Sequence, residues 1–126
     1  MATLMCGLIT SGRLARAVEP AIAGVTARGA AADGHAAAAA VDGDPATYWQ
    51  SPADSSMQDY RRFLDFDLHG AYSISQIDIT NLAGSYYHYE VYLSKDGADY
   101  GKVAYKSDDA PATGAADTHP IDATEA

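Results

Sequence analysis

Residues 63–70 read FLDFDLHG, and the fold turns on this stretch. Leu64, Phe66 and Leu68 alternate with Phe63, Asp65 and Asp67. A period of two sends successive side chains to opposite faces of a β-strand. His69-Gly70 then breaks the run.

The same alternation recurs downstream. Ile77 and Ile79 alternate with Asp78 and Thr80, and Tyr89, Val91 and Leu93 with Glu90, Tyr92 and Ser94. Asp96-Gly97 is a hairpin-type turn signal, and Tyr100 to Tyr105 reads as the returning strand. Ser107 to His119 is small, polar and acidic, and reads as a loop. Ile121 to Ala126 begins another approach to a strand. Short strands separated by turn residues indicate an antiparallel sandwich or barrel.

Upstream, the signals are weaker. Ala30 to Ala40 is alanine-rich but interrupted by Asp33-Gly34, which predicts a helical turn or two. Met1 to Ala23 is weakly helical in pattern, and Ala21-Ile22-Ala23 has the small-x-small form of a secretory cleavage site. A basic start is missing and the apolar run Leu4 to Ile9 is short, so residues 1–23 read as a leader or linker and residues 24–126 as one domain.

Composition narrows the function. The 126 residues carry 8 basic and 17 acidic side chains, a net charge of −9. Phosphate binding needs a basic patch, so nucleic acid is not an expected partner, and anionic membrane surfaces are disfavoured for the same reason. A single cysteine, Cys6, leaves no internal disulfide and no cysteine-based zinc site. No apolar run approaches the ~20 residues of a membrane span. Nine tyrosines stand against two phenylalanines and one tryptophan. Tyrosine couples an apolar ring to a hydrogen-bonding tip, which suits both strands and polar ligand surfaces.

Chemistry concentrates in residues 39–51, AAVDGDPATYWQS. Asp42-Gly43-Asp44-Pro45 is tight-turn chemistry. Such a turn gathers carboxylate, carbonyl and hydroxyl oxygens of the kind calcium takes, and it equally serves as a capped turn without an ion. An EF-hand is excluded, because Ala46, Thr47 and Ala53 stand where its further ligand, glycine and distal glutamate belong.

This stretch resembles the motif of F5/8 type C (discoidin) domains, whose bacterial members are carbohydrate-binding modules of family 32. Further blocks follow in order: FLDFDLHG at 63–70, YSISQIDI at 72–79 and YEVYLSKDGADYGKVA at 89–104. The resemblance implies an all-β, antiparallel jelly-roll β-sandwich of the galactose-binding-domain-like kind. Two departures stand out. His69 replaces the usual glycine after Asp67-Leu68, and the Arg-Tyr-Val-Arg-type strand expected after DATEA (122–126) is not in the sequence. The expectation is therefore an incomplete domain whose last strands are missing, with the final glutamate of the family's ion site missing too.

The resemblance further implies a structural calcium ion held by the Ala39 carbonyl, the Asp42 carboxylate, the Asp44 carbonyl and both oxygens of Thr47. Trp49 becomes a core residue. Sugar binds on loops at one end of the sandwich. The first loop, Gln50 to Arg62, offers Gln50, Tyr60 and Arg61; the second, Asn81 to His88, offers Asn81, Tyr86 and His88. Aromatic rings stack on sugar C–H faces while charged and amide groups read the hydroxyls. Gln50 and the lack of arginine between Asn81 and His88 depart from galactose-binding relatives. No Ser-His-Asp order, phosphate loop or HExxH motif is present, and the chain reads as non-catalytic. The expected role is glycan binding as an extracellular or cell-surface appendage covalently linked to a bacterial glycoside hydrolase. The alternatives are a discoidin-type cell adhesion domain for protein or lipid, with Met57 as its one apolar spike, and a non-binding spacer.

Overall fold

The computed structural model of the chain describes residues 2–5, 20–28, 31–51 and 62–126. Among them run seven strands: β1, Ala2–Met5; β2, Gly24–Arg28; β3, Phe63–Asp67; β4, Ser73–Asn81; β5, Tyr89–Leu93; β6, Gly101–Lys106; and β7, Ala116–Glu125. Every strand pairing is antiparallel. The sheets are β1-β4-β7, β2-β3 and β5-β6. This is the all-β, antiparallel architecture that the alternation predicts, consistent with the sandwich that the resemblance implies.

β4 is the centre of the molecule, paired on both edges. Ile77, Ile79 and Asn81 are buried at period two along it. Ile74 is buried as well, although it lies out of phase with them. The register shift between Ile74 and Gln76 sets residues 121–123 of β7 opposite Ser75. Such an irregularity re-aims the strand and returns Ile74 to the common core. Leu68, Tyr72, Tyr89, Val91, Leu93, Val103 and Ile121 close around the three isoleucines. Each isoleucine so buried stabilises the fold by about 1.5–3 kcal/mol.

The β5–β6 hairpin turns where the sequence places it. Gly97 takes φ +74°, and Asp96 Oδ1 accepts the backbone N–H groups of Ala98 and Asp99, each at 2.9 Å. Those bonds favour the charged carboxylate and hold Asp96 below its usual titration range. In the β2–β3 pair, Arg28 grips the Asp65 carboxylate through two bonds of 2.6 Å and lies 5.2 Å over the Phe63 ring.

Three expectations change, and one strand has no counterpart among them. The helical turn expected over Ala30–Ala40 shrinks to a 3-10 turn, Ala37–Ala40. β2 carries only Val25 and Ala27 on its half-buried face and gives little signal in sequence. β1 lies within the segment read as weakly helical, and its backbone pairs with β4 from Ala2↔Asn81 to Met5↔Asp78. Residues 116–119, read as loop, are the first part of β7, and the pairing of β4 with β7 is continued by mutual backbone bonds between Tyr72 and Ala126 at 2.8 and 2.9 Å.

Candidate glycan and cation sites

The Asp42–Thr47 turn is built from its own side chains. Gly43 takes φ +78°, a left-handed value that costs glycine little. Asp42 Oδ1 accepts the Asp44 N–H at 2.9 Å, and Asp44 Oδ1 accepts the Ala46 N–H at 2.9 Å. The Thr47 hydroxyl lies 2.6 Å from Asp42 Oδ2, to which it donates, and 3.0 Å from the Asp44 carbonyl. Three oxygens of the expected cation set are thus drawn together. The Thr47 bond, then that of the Asp44 N–H, lowers the Asp42 pKa below its ordinary value. Among the described residues no group of three or more His, Cys, Asp or Glu side chains is placed to hold a metal. A cation here would rest on one carboxylate with hydroxyl and carbonyl oxygens, the donor chemistry of calcium.

Trp49 follows this turn and is 7 % exposed, a core residue as expected. Gln50 is pinned through its backbone: its N–H donates to the His35 carbonyl at 3.2 Å and its carbonyl accepts from Ala32 at 2.8 Å. The His35 ring stacks on Tyr48 at 4.2 Å. Tyr60 and Arg61 lie outside the described residues, as does Met57.

The second loop joins β4 to β5. Tyr86 is 65 % exposed and His88 is exposed, whereas Tyr87 is half-buried on the parity of Tyr89, as strand alternation requires. Two backbone bonds tie this loop to the β6–β7 loop: Gly84 N–H to the Ala112 carbonyl at 2.8 Å, and Ala112 N–H to the Ser85 carbonyl at 2.9 Å. His88 Nε2 lies 3.2 Å from the Asp108 carbonyl and 3.3 Å from Asp109 Oδ1.

Asn81 is placed differently from the sequence expectation. At 2 % exposure it is an interior residue of β4, not a loop residue open to ligand. Its Nδ2 donates to Asp117 Oδ2 at 3.3 Å. The same carboxylate oxygen accepts from the Tyr89 hydroxyl at 3.3 Å and faces Lys106 Nζ at 3.5 Å. The Tyr89 hydroxyl is also 2.8 Å from His119 Nε2. Burial first, and the Asp117 charge second, push the Tyr89 hydroxyl well above the ordinary tyrosine range. This network spans β4, β5, β6 and β7. Sequence reading missed it because its members are scattered over 39 positions, Asn81 to His119. A cleft of about 370 Å³ opens beside it, walled by Lys106, Asp108, Asp117 and His119.

The F5/8 type C domain model matches residues 24–126. The chain belongs to the F5/8 type C domain family. As an F5/8 type C domain it is a carbohydrate-binding, discoidin-type module and not a catalytic unit. Two solved structures of a family 89 glycoside hydrolase from Clostridium perfringens resemble it. The first, in complex with 2-acetamido-1,2-dideoxynojirmycin, is 37 % identical with a TM-score of 0.70. The second, in complex with its substrate GlcNAc-α-1,4-galactose, is 35 % identical with a TM-score of 0.69. Each alignment covers 82 % of this chain but only 11 % of the hydrolase, a module's share rather than a catalytic domain's. No curated protein matches the chain. Among the described residues, no helix is long and apolar enough to cross a membrane.

Proposed function

We propose that this F5/8 type C domain binds glycan through the loops at one end of its sandwich, as an appendage of an extracellular or cell-surface glycoside hydrolase. The observation that carries the reading is its 37 % identity, over 82 % of its length, to part of a glycoside hydrolase. Tethering an enzyme to its substrate raises effective concentration and needs no chemistry in the tether. Tyr86 supplies an exposed ring and His88 a polar reader beside it, with Gln50, Tyr60 and Arg61 from the first loop. Asn81 supports the loop from inside.

We further propose that calcium is held by the Ala39 and Asp44 carbonyls, the Asp42 carboxylate and Thr47. The ion would stiffen the turn that precedes Trp49 and has no chemical role in binding sugar.

Titration calorimetry with N-acetylglucosamine, galactose and GlcNAc-α-1,4-galactose tests the reading. Binding that weakens about five- to a hundredfold in Tyr86→Ala and His88→Ala supports it. Unchanged affinity in both variants places the site elsewhere, and no binding in the parent domain rejects it. One observation favours the adhesion alternative: Leu82, at the start of the second loop, is 44 % exposed. Sedimentation with neutral phosphatidylcholine vesicles that is lost in Leu82→Ser would select that reading.

A further inference from the structure

The outer face of the β5–β6 hairpin carries four exposed side chains in a chequerboard. The register pairs Glu90 with Tyr105 and Tyr92 with Lys102. Cross-strand partners share a face, as do Glu90 and Tyr92, two apart on β5, and the register shift between Val91 and Tyr92 brings Lys102 and Tyr105, three apart on β6, onto that face as well. The two rings therefore occupy one diagonal and the two opposite charges the other. All four are exposed, Tyr92 at 43 % and Tyr105 at 62 %.

The arrangement is internally fixed. Tyr92 donates to Glu90 Oε2 at 2.6 Å, and Lys102 Nζ donates to Glu90 Oε1 at 2.8 Å. Lys102 also stands 5.8 Å from the centre of the Tyr105 ring. Rings already held in position lose little freedom when a ligand docks. The core does not need them, since Val91, Leu93 and Val103 point the other way.

We infer that this face is a second glycan-binding surface, a flat platform for a linear, uncharged oligosaccharide. It rests on the glycan-binding reading of the domain but not on the loop site. Each ring offers a stacking surface to a sugar C–H face. Between them the Glu90–Lys102 pair presents one acceptor group and one donor group to ring hydroxyls. The charge balance decides the ligand class. The two charges on the patch neutralise each other, on a chain whose net charge is −9. Among the described residues the patch carries no net positive charge to attract a polyanion, and the net negative charge of the chain repels one. A chain long enough to cover both rings is required, so a monosaccharide gains only half the surface.

The test is calorimetry on the domain with chitohexaose, mannohexaose, polygalacturonate and the monosaccharides N-acetylglucosamine and mannose. The platform predicts that at least one neutral hexaose binds more tightly than its monosaccharide. Tyr92→Ala and Tyr105→Ala should each weaken that binding about tenfold or more, the scale of an anchoring ring. Tyr105→Phe, which keeps the ring, should bind as the parent does. Tyr86→Ala separates the two sites, because it should weaken monosaccharide binding and leave the hexaose increment intact. A hexaose affinity unchanged in Tyr92→Ala and Tyr105→Ala overturns the platform alone, and so does a preference for polygalacturonate. Failure of the parent to bind any of the five probes overturns the glycan reading and the platform with it. Melting temperatures within a few degrees of the parent exclude unfolding as the cause of a loss.

Discussion

The Thr47 hydroxyl donates to the Asp42 carboxylate across 2.6 Å, joining two residues five apart over a glycine-containing turn. That bond favours the ionised carboxylate, and the Asp42 pKa lies below its unfolded value as a result. A depressed acid contributes stability that is present above its unfolded pKa of about 4 and is lost as pH falls through the lower, folded value. Thr47→Val should therefore flatten the acid limb of the stability profile. Asp42→Ala should do the same, and should also abolish any rise in melting temperature on adding calcium. Saturating calcium at a hundredfold excess over its dissociation constant would add about 2.7 kcal/mol to the parent domain. A melting curve indifferent to calcium and to chelator would leave the turn a purely hydrogen-bonded one.

His69 sits at φ +53°, the left-handed region in which side-chain-bearing residues are strained, and its N–H donates to Asp67 Oδ1 at 2.7 Å. The sequence pattern has glycine at this place, and the backbone angle supplies the reason. His69→Gly should raise stability by about 0.5–1 kcal/mol, the relief of the left-handed penalty less the extra freedom of glycine when unfolded. His69→Val should be destabilising, because a β-branched side chain fits that angle worst. Urea denaturation of the three proteins gives the order directly.

Tyr89 should titrate late. Burial and Asp117 hold its hydroxyl neutral past the ordinary tyrosine range. The folded state thus keeps a proton that the unfolded chain sheds near pH 10, and stability should fall as pH rises above that value. Ultraviolet absorbance titration should show one tyrosine lagging the others, and Asp117→Ala should move it back toward them. The same substitution strips Asn81 Nδ2 of its acceptor in the interior and should cost about 1–3 kcal/mol.

Trp49 is the only tryptophan and is buried two positions after Thr47. Its fluorescence should be blue-shifted in the folded domain and should report any cation entering the turn. Trp49→Ala should cost about 3–5 kcal/mol through the cavity it leaves. A red-shifted emission in the native protein would contradict the burial.

Strand parity was the most legible feature. Ile77–Ile79 and Tyr89–Leu93 alternate in sequence because both strands have one face toward the same core, and Phe63–Leu68 alternates with Leu64 and Phe66 half-buried and Leu68 against that core. Ile74 obeys no such rule in sequence, since its burial depends on a register shift set by residues 121–123 on another strand. β2 was silent because Val25 and Ala27 are small and half-buried. Asp117 and His119 looked like loop residues because their burial is justified by Tyr89 and Lys106, which are distant in sequence. Asn81 read as a ligand residue for the same reason: composition shows an amide, and only the pairing of β4 shows that it faces inward. The exposure of Tyr86 and His88 was legible, because a single parity argument separates them from Tyr87.

Two of the bonds that hold the β4–β5 and β6–β7 loops together run through the backbone atoms of Gly84, Ser85 and Ala112 alone. They ask nothing of the side chains around them. The residues at the tip can therefore be exchanged while the frame beneath keeps its shape, and the same scaffold can be retargeted to a new sugar by grafting. Under random variation, this end of the domain should change its ligand far more readily than it loses its fold.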